Sequence, residues 1–355
     1  MKPAIVDLAE RIQSDIQRRK LKPGDPYYTT SETARSFQVS GTTANRALQL
    51  LTQRRVLVRK QRAGTFIADA ESEGSTQTLN RVHLIVQQKF LEREGLLADG
   101  ILLGLQRELP EAELEFNFLP LREEEAYVEE IVNRALKSSE PEGFVLQRTP
   151  VGVQRILQES GLPAVVNGVL QPSITDLAHI DRDQARMGKL LFQELYDRKC
   201  QRILVVLRDQ MTTGDHRLLD AVQQEMSEAG FQLDQLTVRC LPADDRAIQI
   251  SALEVMRQSR GKLGVLCRSE PAARAISAVL EKESRVKSRR PVLVVADRFQ
   301  RDNTPCPFPH IKACLSPAEY GQEIGKMLIR QVQGEAAASL FYNVAVELVQ
   351  PGKAN

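Results

Sequence analysis

Polar side chains that can form directional hydrogen bonds are concentrated in the stretch from Val39 to Leu48. A natural helix-capping residue, Ser40, precedes small hydroxyls, an amide and a guanidinium, which are Thr42, Thr43, Asn45 and Arg46. The apolar residues recur at helical spacing and predict a buried stripe of Ala44, Ala47, Leu48 and Leu51. Polar groups of these types at the start of a helix bind phosphate oxygens and base edges of DNA. The pattern also fits an ordinary amphipathic helix with a polar outer face, so the flanking residues decide between the two interpretations.

The residues on either side of this helix predict a small basic domain. Residues 1–70 contain 13 Lys and Arg against 6 Asp and Glu, a formal charge of +7, whereas the whole chain carries +2. Helical periodicity predicts a first helix over residues 5–16 and a second from about Thr30. After the third helix, two short apolar strands flank the basic turn 60–64. Three helices and a basic two-stranded wing form a winged helix-turn-helix, and the charge is typical of a nucleic-acid-binding module.

The order of short motifs in residues 1–70 resembles the GntR family of bacterial transcription factors. The motifs are Pro23-Gly24-Asp25, Val39-Ser40-x-Thr42-Thr43, Ala47-Leu48 and Gly64-Thr65-Phe66-Ile67. The resemblance implies a homodimer on a palindromic operator in double-stranded DNA, with the third helix in the major groove and the wing tip in the minor groove. It assigns DNA contacts to the following residues: Ser31, Ser40, Gly41, Thr42, Thr43, Asn45, Arg46, Arg62 and Gly64.

This sequence departs from the family pattern at positions where an arginine or a glycine is usual. Ser31 and Gly41 occupy usual arginine positions, and Arg62 replaces the first glycine of the wing. Asn45 occupies a further arginine position, and Arg46 follows it in place of a glutamate. Contacts to guanine are therefore expected to differ from those of the family. An asparagine that contacts adenine through both amide atoms is one such change.

A change in composition near residue 70 predicts a domain boundary. Residues 69–80 are small and polar, without apolar periodicity, which is typical of a linker. We therefore place a DNA-binding domain at 1–70, a linker at 71–80 and a second domain at 81–355.

In the second domain, apolar strand-like runs alternate with helical patterns, which predicts an α/β fold with parallel sheets. Ligands bind beyond the carboxyl ends of such strands, where Gln87, Gln88, Gln147 and Arg148 are expected.

The order of elements over residues 81–350 resembles the effector domain of the LacI/GalR family, a two-lobed fold like that of periplasmic binding proteins. The similarity follows Ile180-Asp181, the run 202–206, Asp215-His216-Arg217-x-x-x-Ala221, the run 292–297 and Glu319-Tyr320-Gly321-x-x-x-Gly325. A GntR-type head on such a body is similar to arabinose-type repressors. The fold class implied for the whole chain is therefore α/β, with an N-terminal winged helix-turn-helix joined to a two-lobed domain that has parallel sheets.

The same resemblance implies an effector site. By position, Arg217 and Asp297 correspond to residues that bind sugar hydroxyls, and Ser269 and Glu270 stand where the family often has Asn-Asp. Solvated or salt-bridged side chains at these positions are the alternative. Several arginines are predicted near the site, so a sugar acid or sugar phosphate is a further candidate: Arg148, Arg217, Arg268 and Arg298.

Other function classes lack their sequence signals. No phosphate-binding loop of the Gly-x-x-x-x-Gly-Lys-Ser/Thr type occurs, nor a Gly-x-Gly-x-x-Gly or a Gly-x-Ser-x-Gly motif. The 4 histidines do not pair with cysteine or carboxylate at metal-ligand spacing. The 5 cysteines are widely spaced and no signal peptide is recognised, which indicates reduced thiols in the cytoplasm. We expect neither an enzyme nor a cofactor, a metal or a membrane partner.

Three functions remain open from the residues alone. The first is a transcriptional regulator, most simply a repressor, whose operator binding changes when a sugar or sugar derivative binds the second domain. The second is a dimeric DNA-binding protein whose second domain is a ligand-independent scaffold. The third is a head fused to a pyridoxal-phosphate enzyme, which needs a Schiff-base lysine. Only Lys262 and Lys312 lie near predicted strands, and neither has a convincing setting.

Overall fold

The computed structural model of the chain describes residues 4–54, 56–60, 64–68, 79–87, 99–138, 140–282, 290–298 and 305–352. The chain divides into two compact units, Met1–Ile180 with Ser316–Tyr342 and Asp181–Leu315 with Asn343–Asn355. We call these the first unit and the second unit, and number helices and strands in chain order. Each unit is completed by a segment from late in the sequence, so neither is one continuous stretch of chain.

The N-terminal part of the first unit is a winged helix-turn-helix, which we call the head (residues 4–68). Its helices are α1 (Ala4–Arg18), α2 (Thr30–Phe37) and α3 (Gly41–Gln53). Its strands are β1 (Pro26–Tyr27), β2 (Leu57–Lys60) and β3 (Gly64–Ile67), and β3 pairs antiparallel with the other two. The three helices and the strands of the wing are confirmed. Side chains from both kinds of element form the core, including the buried Leu8, Ile12, Leu48, Leu51 and Leu57.

The two helices of the helix-turn-helix begin at capping residues that the sequence supplies. The backbone N–H of Thr29 donates to the Glu32 carboxylate at 2.8 Å, and the Thr29 hydroxyl accepts from the backbone N–H of Glu32. Ser40 caps α3, because its hydroxyl accepts from the backbone N–H of Thr43 at 3.1 Å. The predicted cap at Ser40 is confirmed. The predicted stripe is also confirmed, since all four of its members are fully buried: Ala44, Ala47, Leu48 and Leu51.

The rest of the first unit is built on a six-stranded sheet in the order β14-β8-β7-β6-β4-β5. The strands are β4 (Arg81–Gln87), β5 (Glu113–Leu119), β6 (Glu142–Gln147), β7 (Ala164–Asn167), β8 (Ala178–Arg182) and β14 (Phe341–Val344). The helices are α4 (Asp99–Glu108), α5 (Glu124–Ala135), α6 (Val151–Ser160) and α11 (Pro317–Val332). Strands β4 to β8 pair in parallel, so their carboxyl ends lie at one edge of the sheet.

Helices α4 and α11 approach each other closely because glycines lie at their contact. A Cβ atom on Gly104 would lie 1.9 Å from the carbonyl oxygen of Ala318. A Cβ atom on Gly321 would lie 2.0 Å from the carbonyl oxygen of Ile101. Since backbone atoms fill both positions, only glycine fits there. This contact places α11 in the first unit, although most of the second unit precedes it in the sequence.

The second unit has a six-stranded sheet in the order β10-β9-β11-β12-β13-β15. Its strands are β9 (Arg202–Arg208), β10 (Leu236–Leu241), β11 (Leu263–Ser269), β12 (Val292–Asp297), β13 (His310–Ala313) and β15 (Val346–Val349). Its helices are α7 (Gln184–Asp197), α8 (Thr213–Glu228), α9 (Asp245–Gln258) and α10 (Glu270–Lys282). The strands pair in parallel except β15, which pairs antiparallel with β13. The predicted α/β pattern with parallel sheets is thus confirmed.

Four strands of the two sheets were not predicted, namely β8, β13, β14 and β15. Each is four or five residues long, and Phe341 and Tyr342 of β14 are exposed, so neither length nor alternation marks them in the sequence. The linker predicted at 71–80 falls mostly outside the described residues. Within the part of the chain that is described, none of the helices combines the length and hydropathy required to cross a bilayer.

Candidate DNA interface and effector site

The start of α3 presents a polar surface to solvent. Gly41, Thr42 and Arg46 are exposed, while Thr43 and Asn45 are partly buried. The hydroxyls of Ser40 and Thr43 lie 2.8 Å apart, so the cap fixes both of them at the end of the helix. The amino-terminal end of a helix carries partial positive charge and free N–H groups, which favour a phosphate. This end of α3 can therefore contact the DNA backbone while Arg46 remains free to reach a base or a phosphate.

An arginine of the wing contacts both helices at this surface, and this role was not predicted from the sequence. The exposed Arg59, on β2, donates from Nη1 to Oδ1 of Asn45 at 2.9 Å and from Nη2 to Oγ1 of Thr30 at 3.1 Å. One guanidinium thus joins the start of α2, the first turns of α3 and the wing. Because Oδ1 of Asn45 accepts from Arg59, the amide group of Asn45 has a defined orientation and can donate its N–H groups to a partner.

The remaining predicted DNA contacts are Ser31, Gly64 and Arg62. Ser31 is exposed beside Thr30 in the first turn of α2. Gly64 begins β3 with φ +113°, a conformation that other residues rarely adopt. Arg62 lies outside the described residues. The structure thus brings the polar groups of α2, α3 and β2 together on the head, with Arg59 as their common partner.

In the first unit, the carboxyl ends of the strands carry a chain of hydrogen-bonded amides. Gln147, at the end of β6, accepts from Nδ2 of Asn167, at the end of β7, at 2.6 Å. The hydroxyl of Tyr320 donates to Oδ1 of the same asparagine at 2.8 Å. Gln87, at the end of β4, donates to the carboxylate of Glu124 at 3.0 Å. These amides are the groups that bind polyol hydroxyls in protein sites.

Two further residues of this edge were predicted. Arg148 directly follows β6 and has φ +52°, an uncommon conformation for a residue with a side chain. Gln88 lies outside the described residues. Asn167 and Tyr320 were not predicted, although Asn167 ends an apolar run in the same way as Gln147 and could have been found by that signal.

In the second unit, three arginines converge on Asp297 at the end of β12. Oδ1 of Asp297 lies 2.5 Å from Nη2 of Arg182. Oδ2 lies 2.9 Å from Nη2 of Arg208 and 3.0 Å from Nη1 of Arg268. The Asp297 side chain is 4% exposed, whereas that of Arg182 is 28% exposed. The predicted sugar-binding aspartate is therefore buried, and Arg182 is the most exposed of its three arginines.

Asp215, in the first turn of α8, is the second carboxylate of this cluster. It is fully buried, bonds to Nε of Arg268, and lies 3.1 Å from Nη1 of Arg208. Burial raises its pKa, but the positive charges of Arg268 and Arg208 outweigh burial, so the pKa of Asp215 is lowered. Burial also lowers the pKa of Arg268, but Asp297 and Asp215 reverse this and raise it. Both groups are therefore charged at neutral pH.

The other predicted effector residues are in different settings. Arg217 is exposed on α8, two residues after Asp215. Glu270 is buried at the start of α10, where Nη2 of Arg274 lies 2.5 Å and Nε of Arg298 lies 3.4 Å from its carboxylate. Ser269 ends β11 and is partly buried. Glu270 therefore has a salt-bridge partner, whereas Arg217 retains an exposed guanidinium suited to a ligand.

Two arginines of the second-unit cluster that were not predicted share one sequence signal. Arg182 and Arg208 each end a strand, as Asp297 does, and Arg208 directly follows the apolar run 203–207. Asp215 belongs to a capping box with Thr212, which gave no indication that its carboxylate would be buried among arginines. Gln184 completes the cluster by accepting from Nη2 of Arg268 at 3.3 Å.

Among the described residues, no three His, Cys, Asp or Glu side chains form a group that could hold a metal ion. The buried His83 has a structural setting instead. Its Nε2 lies 2.7 Å from the carboxylate of Glu142, and its ring stacks on Phe144 with centroids 4.8 Å apart.

Comparison with known proteins identifies the head first. Residues 5–67 match the family model for bacterial regulatory proteins of the gntR family. A curated relative is the mannosyl-D-glycerate transport/metabolism system repressor MngR of Escherichia coli K12, 37% identical over 68 residues. That match covers 19% of this chain, and the chain spans only 28% of the length of this relative.

Solved structures match the larger part of the chain. The transcriptional regulator CelR in complex with cellobiose aligns over 92% of this chain and 100% of its own, with TM-score 0.61 and 16% identity. The LacI family regulator of Weissella paramesenteroides with bound glucose aligns over 76% of this chain and 97% of its own, with TM-score 0.58 and 14% identity. Residues 5–67 are therefore a GntR-family winged helix-turn-helix, and the remainder of the described chain has the fold of the LacI-type transcriptional regulators.

Proposed function

We propose that this protein is a DNA-binding transcriptional regulator, a repressor, whose operator binding is controlled by a sugar or a sugar derivative. The observation that carries the proposal is the polar surface of the head, where Arg59 joins Asn45 and Thr30 beside the exposed Arg46. The second part of the proposal rests on the polar groups at the carboxyl ends of both parallel sheets.

The DNA-binding part fits the shape and charge of the head. Helix α3 enters the major groove with its capped end at the phosphates, and the wing, with Arg62 and Gly64, reaches the minor groove. The protein acts in the cytoplasm as a homodimer on a palindromic operator, because a two-fold pair of heads reads two equivalent half-sites. The exposed Phe116 and Phe118 on the edge strand β5 are apolar surface that a second copy would cover.

The ligand-binding part is supported by chemistry and by similar structures. CelR and the Weissella paramesenteroides regulator were solved with cellobiose and glucose, respectively. In this chain, amide side chains lie at the carboxyl ends of the first-unit strands, and a cluster of arginines and aspartates lies at the carboxyl ends of the second-unit strands. Guanidinium, carboxylate and amide groups bind the hydroxyls of a polyol, with Gln87, Gln147, Arg148, Arg217 and Asp297 as the proposed contacts.

Control of DNA binding then follows from differential affinity. A ligand that binds one conformation of the protein more tightly than another shifts the population towards it. A difference of about 1–3 kcal/mol is sufficient for a 5–150-fold change in DNA affinity. Hydrolysis or group transfer is no part of this mechanism, because the proposed residues bind the ligand without altering it.

The DNA-binding part is tested by selecting binding sites from a random duplex library with the purified full chain. The expected product is an inverted repeat. The Arg46→Ala variant should lose about 1–3 kcal/mol of affinity for the selected site if Arg46 reads a base. Arg134→Ala, which removes an exposed arginine of α5, is the matched control and should bind like the parent protein. Equal affinity of both variants would exclude Arg46 from the readout.

The ligand-binding part is tested by thermal unfolding of the full chain with neutral sugars, sugar acids and sugar phosphates at millimolar concentration. Stabilisation by one class would identify the effector class, since a ligand that binds only the folded state raises the melting temperature. If no compound changed the melting temperature while the selected DNA still bound, the second domain would be a dimerisation scaffold.

A further inference from the structure

The head packs directly against the sheet-containing part of the first unit, within one compact body. Helix α1 of the head contacts α6, and Gly161, which ends α6, lies at this contact. The carbonyl oxygen of Gly161 accepts a hydrogen bond from Nη2 of Arg54, the residue directly after α3, at 3.3 Å. The contact therefore involves two of the three helices of the head and is separate from the exposed polar start of α3.

The apolar part of this contact has no room for a side chain at residue 161. A Cβ atom there would lie 2.8 Å from Cδ2 of Leu50 and 2.9 Å from Cγ2 of Val6. Leu50 is 0% exposed, so it cannot turn away into solvent. It lies outside the stripe of α3 that the sequence predicts to be buried, but it is a member of the hydrophobic core of the head and also lies against Gly161.

The polar part of the contact is anchored by a desolvated arginine. Arg54 is partly buried, and burial lowers the pKa of its guanidinium, an effect that the nearby carboxylate of Glu10 opposes. A buried guanidinium is costly unless it has a partner. The carbonyl of Gly161 is available because φ +69° at this residue ends the helix and turns its backbone away from α6.

We propose that this surface, formed by Val6, Leu50, Arg54 and Gly161, is an interface that fixes the orientation of the head on the rest of the first unit. The residues that follow Gly161 lead directly into β7, whose last residue is Asn167. The head is thus joined to one end of β7, and Asn167 at the other end donates a hydrogen bond to the proposed effector contact Gln147. Transmission of ligand binding along this connection depends on the proposed function, but the interface itself does not.

The interface is tested by hydrogen exchange of the full chain, without DNA or ligand, in the Gly161→Asn variant. Asparagine tolerates a positive φ better than other residues with side chains, so the substitution mainly adds atoms against Leu50 and Val6. Gly230→Asn is the matched control, because Gly230 also follows a helix end with φ +80° but has no heavy atom within 4 Å of its added Cβ. We expect amides of α1 and of the last turn of α6 to exchange roughly tenfold faster in Gly161→Asn, and parental rates in Gly230→Asn.

A second variant keeps the test decisive if Gly161→Asn fails to fold. Arg54→Ala should accelerate exchange in the same two helices, whereas Arg35→Ala, at an exposed site on α2, should not. Parental exchange in α1 and α6 for Arg54→Ala, or equal acceleration by Arg35→Ala, would overturn the interface.

A gel shift with a 30-base-pair duplex of arbitrary sequence at low salt tests DNA binding separately. Failure of the parent protein there would contradict the proposed function and leave the interface intact.

Discussion

At the scale of single residues, the second unit depends on a balance of buried charges. Arg268 and Asp215 have side chains that are 5% and 0% exposed, so each is stable in its charged form only because of the other and of their shared neighbours. Removing one partner of such a pair leaves an uncompensated buried charge, which is more costly than the pair itself is favourable. The carboxylate of Asp215 is therefore a sensitive position for stability.

We expect Asp215→Asn to destabilise the protein by about 3 kcal/mol, measured by urea unfolding at neutral pH. The amide keeps the shape of the side chain but removes the charge that faces Arg268 and Arg208. Asp220→Asn, at an exposed site on the same helix, is the control and should change the free energy of unfolding by less than about 0.5 kcal/mol. Equal stability of both variants would show that the cluster is not structurally important.

The difference in the free energy of unfolding between the parent protein and Asp215→Asn should depend on pH in one direction. The pKa of Asp215 is lowered in the folded state, so its ionised form stabilises the fold above the unfolded-state pKa of about 3.9. This contribution decreases as the pH falls through the folded-state pKa. The gap between the parent protein and Asp215→Asn should therefore be constant from about pH 5 to neutrality and become smaller in more acidic solution. A gap that widened with acid would contradict the assignment.

In the head, Arg59 is expected to act as a positioning residue through Asn45. The Arg59→Ala variant should bind the selected DNA site more weakly, by about 1–2 kcal/mol, and discriminate less between bases. In a double-mutant cycle with Asn45→Ala, the two losses should be non-additive, because both variants remove the same oriented amide. Additive losses with unchanged base preference would instead indicate that Arg59 contacts only the DNA backbone.

At the scale of elements, the close crossing of α4 and α11 is the feature most sensitive to a small change. An alanine in a helix is ordinarily better than glycine by about 1 kcal/mol. At residue 104 the added Cβ would meet the backbone of Ala318, which can move only if the helices separate. We expect the clash to dominate, so that Gly104→Ala lowers the free energy of unfolding by about 1–3 kcal/mol in a chemical denaturation experiment. Leu103→Ala, at a residue that is 57% exposed on the same helix, should have little effect.

Most elements could be predicted from the sequence because their apolar periodicity is local. The cap at Ser40 and the buried stripe of α3 need only the residues of that helix, and the strand-like run 203–207 needs only its own side chains. Strands β13, β14 and β15 could not be predicted in this way. They are short, and their strand conformation depends on neighbours distant in sequence, such as the antiparallel pairing of His310 with Val349.

The candidate site could be predicted only in part, for a related reason. Gln147 was found because a polar residue that ends an apolar strand marks the carboxyl edge of a sheet. Asp297 was found through the resemblance to the LacI/GalR family, in which its position corresponds to a sugar-binding residue. The charges that surround Asp297 come from three other strands and from the start of α8. The convergence of Arg182, Arg208 and Arg268 could therefore not be predicted from local sequence. The role of Arg59 was hidden for the same reason, since its partners lie 14 and 29 residues away in the chain.

At the scale of the whole molecule, the DNA-binding surface and the second-unit part of the proposed effector site are separate. The polar surface of the head and the cluster around Asp297 belong to different units of the chain. We therefore expect Asp297→Asn to abolish the thermal stabilisation by the effector while DNA affinity in its absence stays within about twofold. A joint loss of DNA binding and of folded structure would show that Asp297 is structural rather than part of the effector site.

Control of DNA binding by an effector can be measured by footprinting of the purified full chain on the DNA upstream of its own gene, with and without a panel of sugars, sugar acids and sugar phosphates. We expect a footprint over an inverted repeat that one class of compound removes at millimolar concentration. A footprint that no compound alters would contradict effector control and favour the scaffold function. The absence of any specific footprint, there and in the library selection, would contradict the proposed regulator itself.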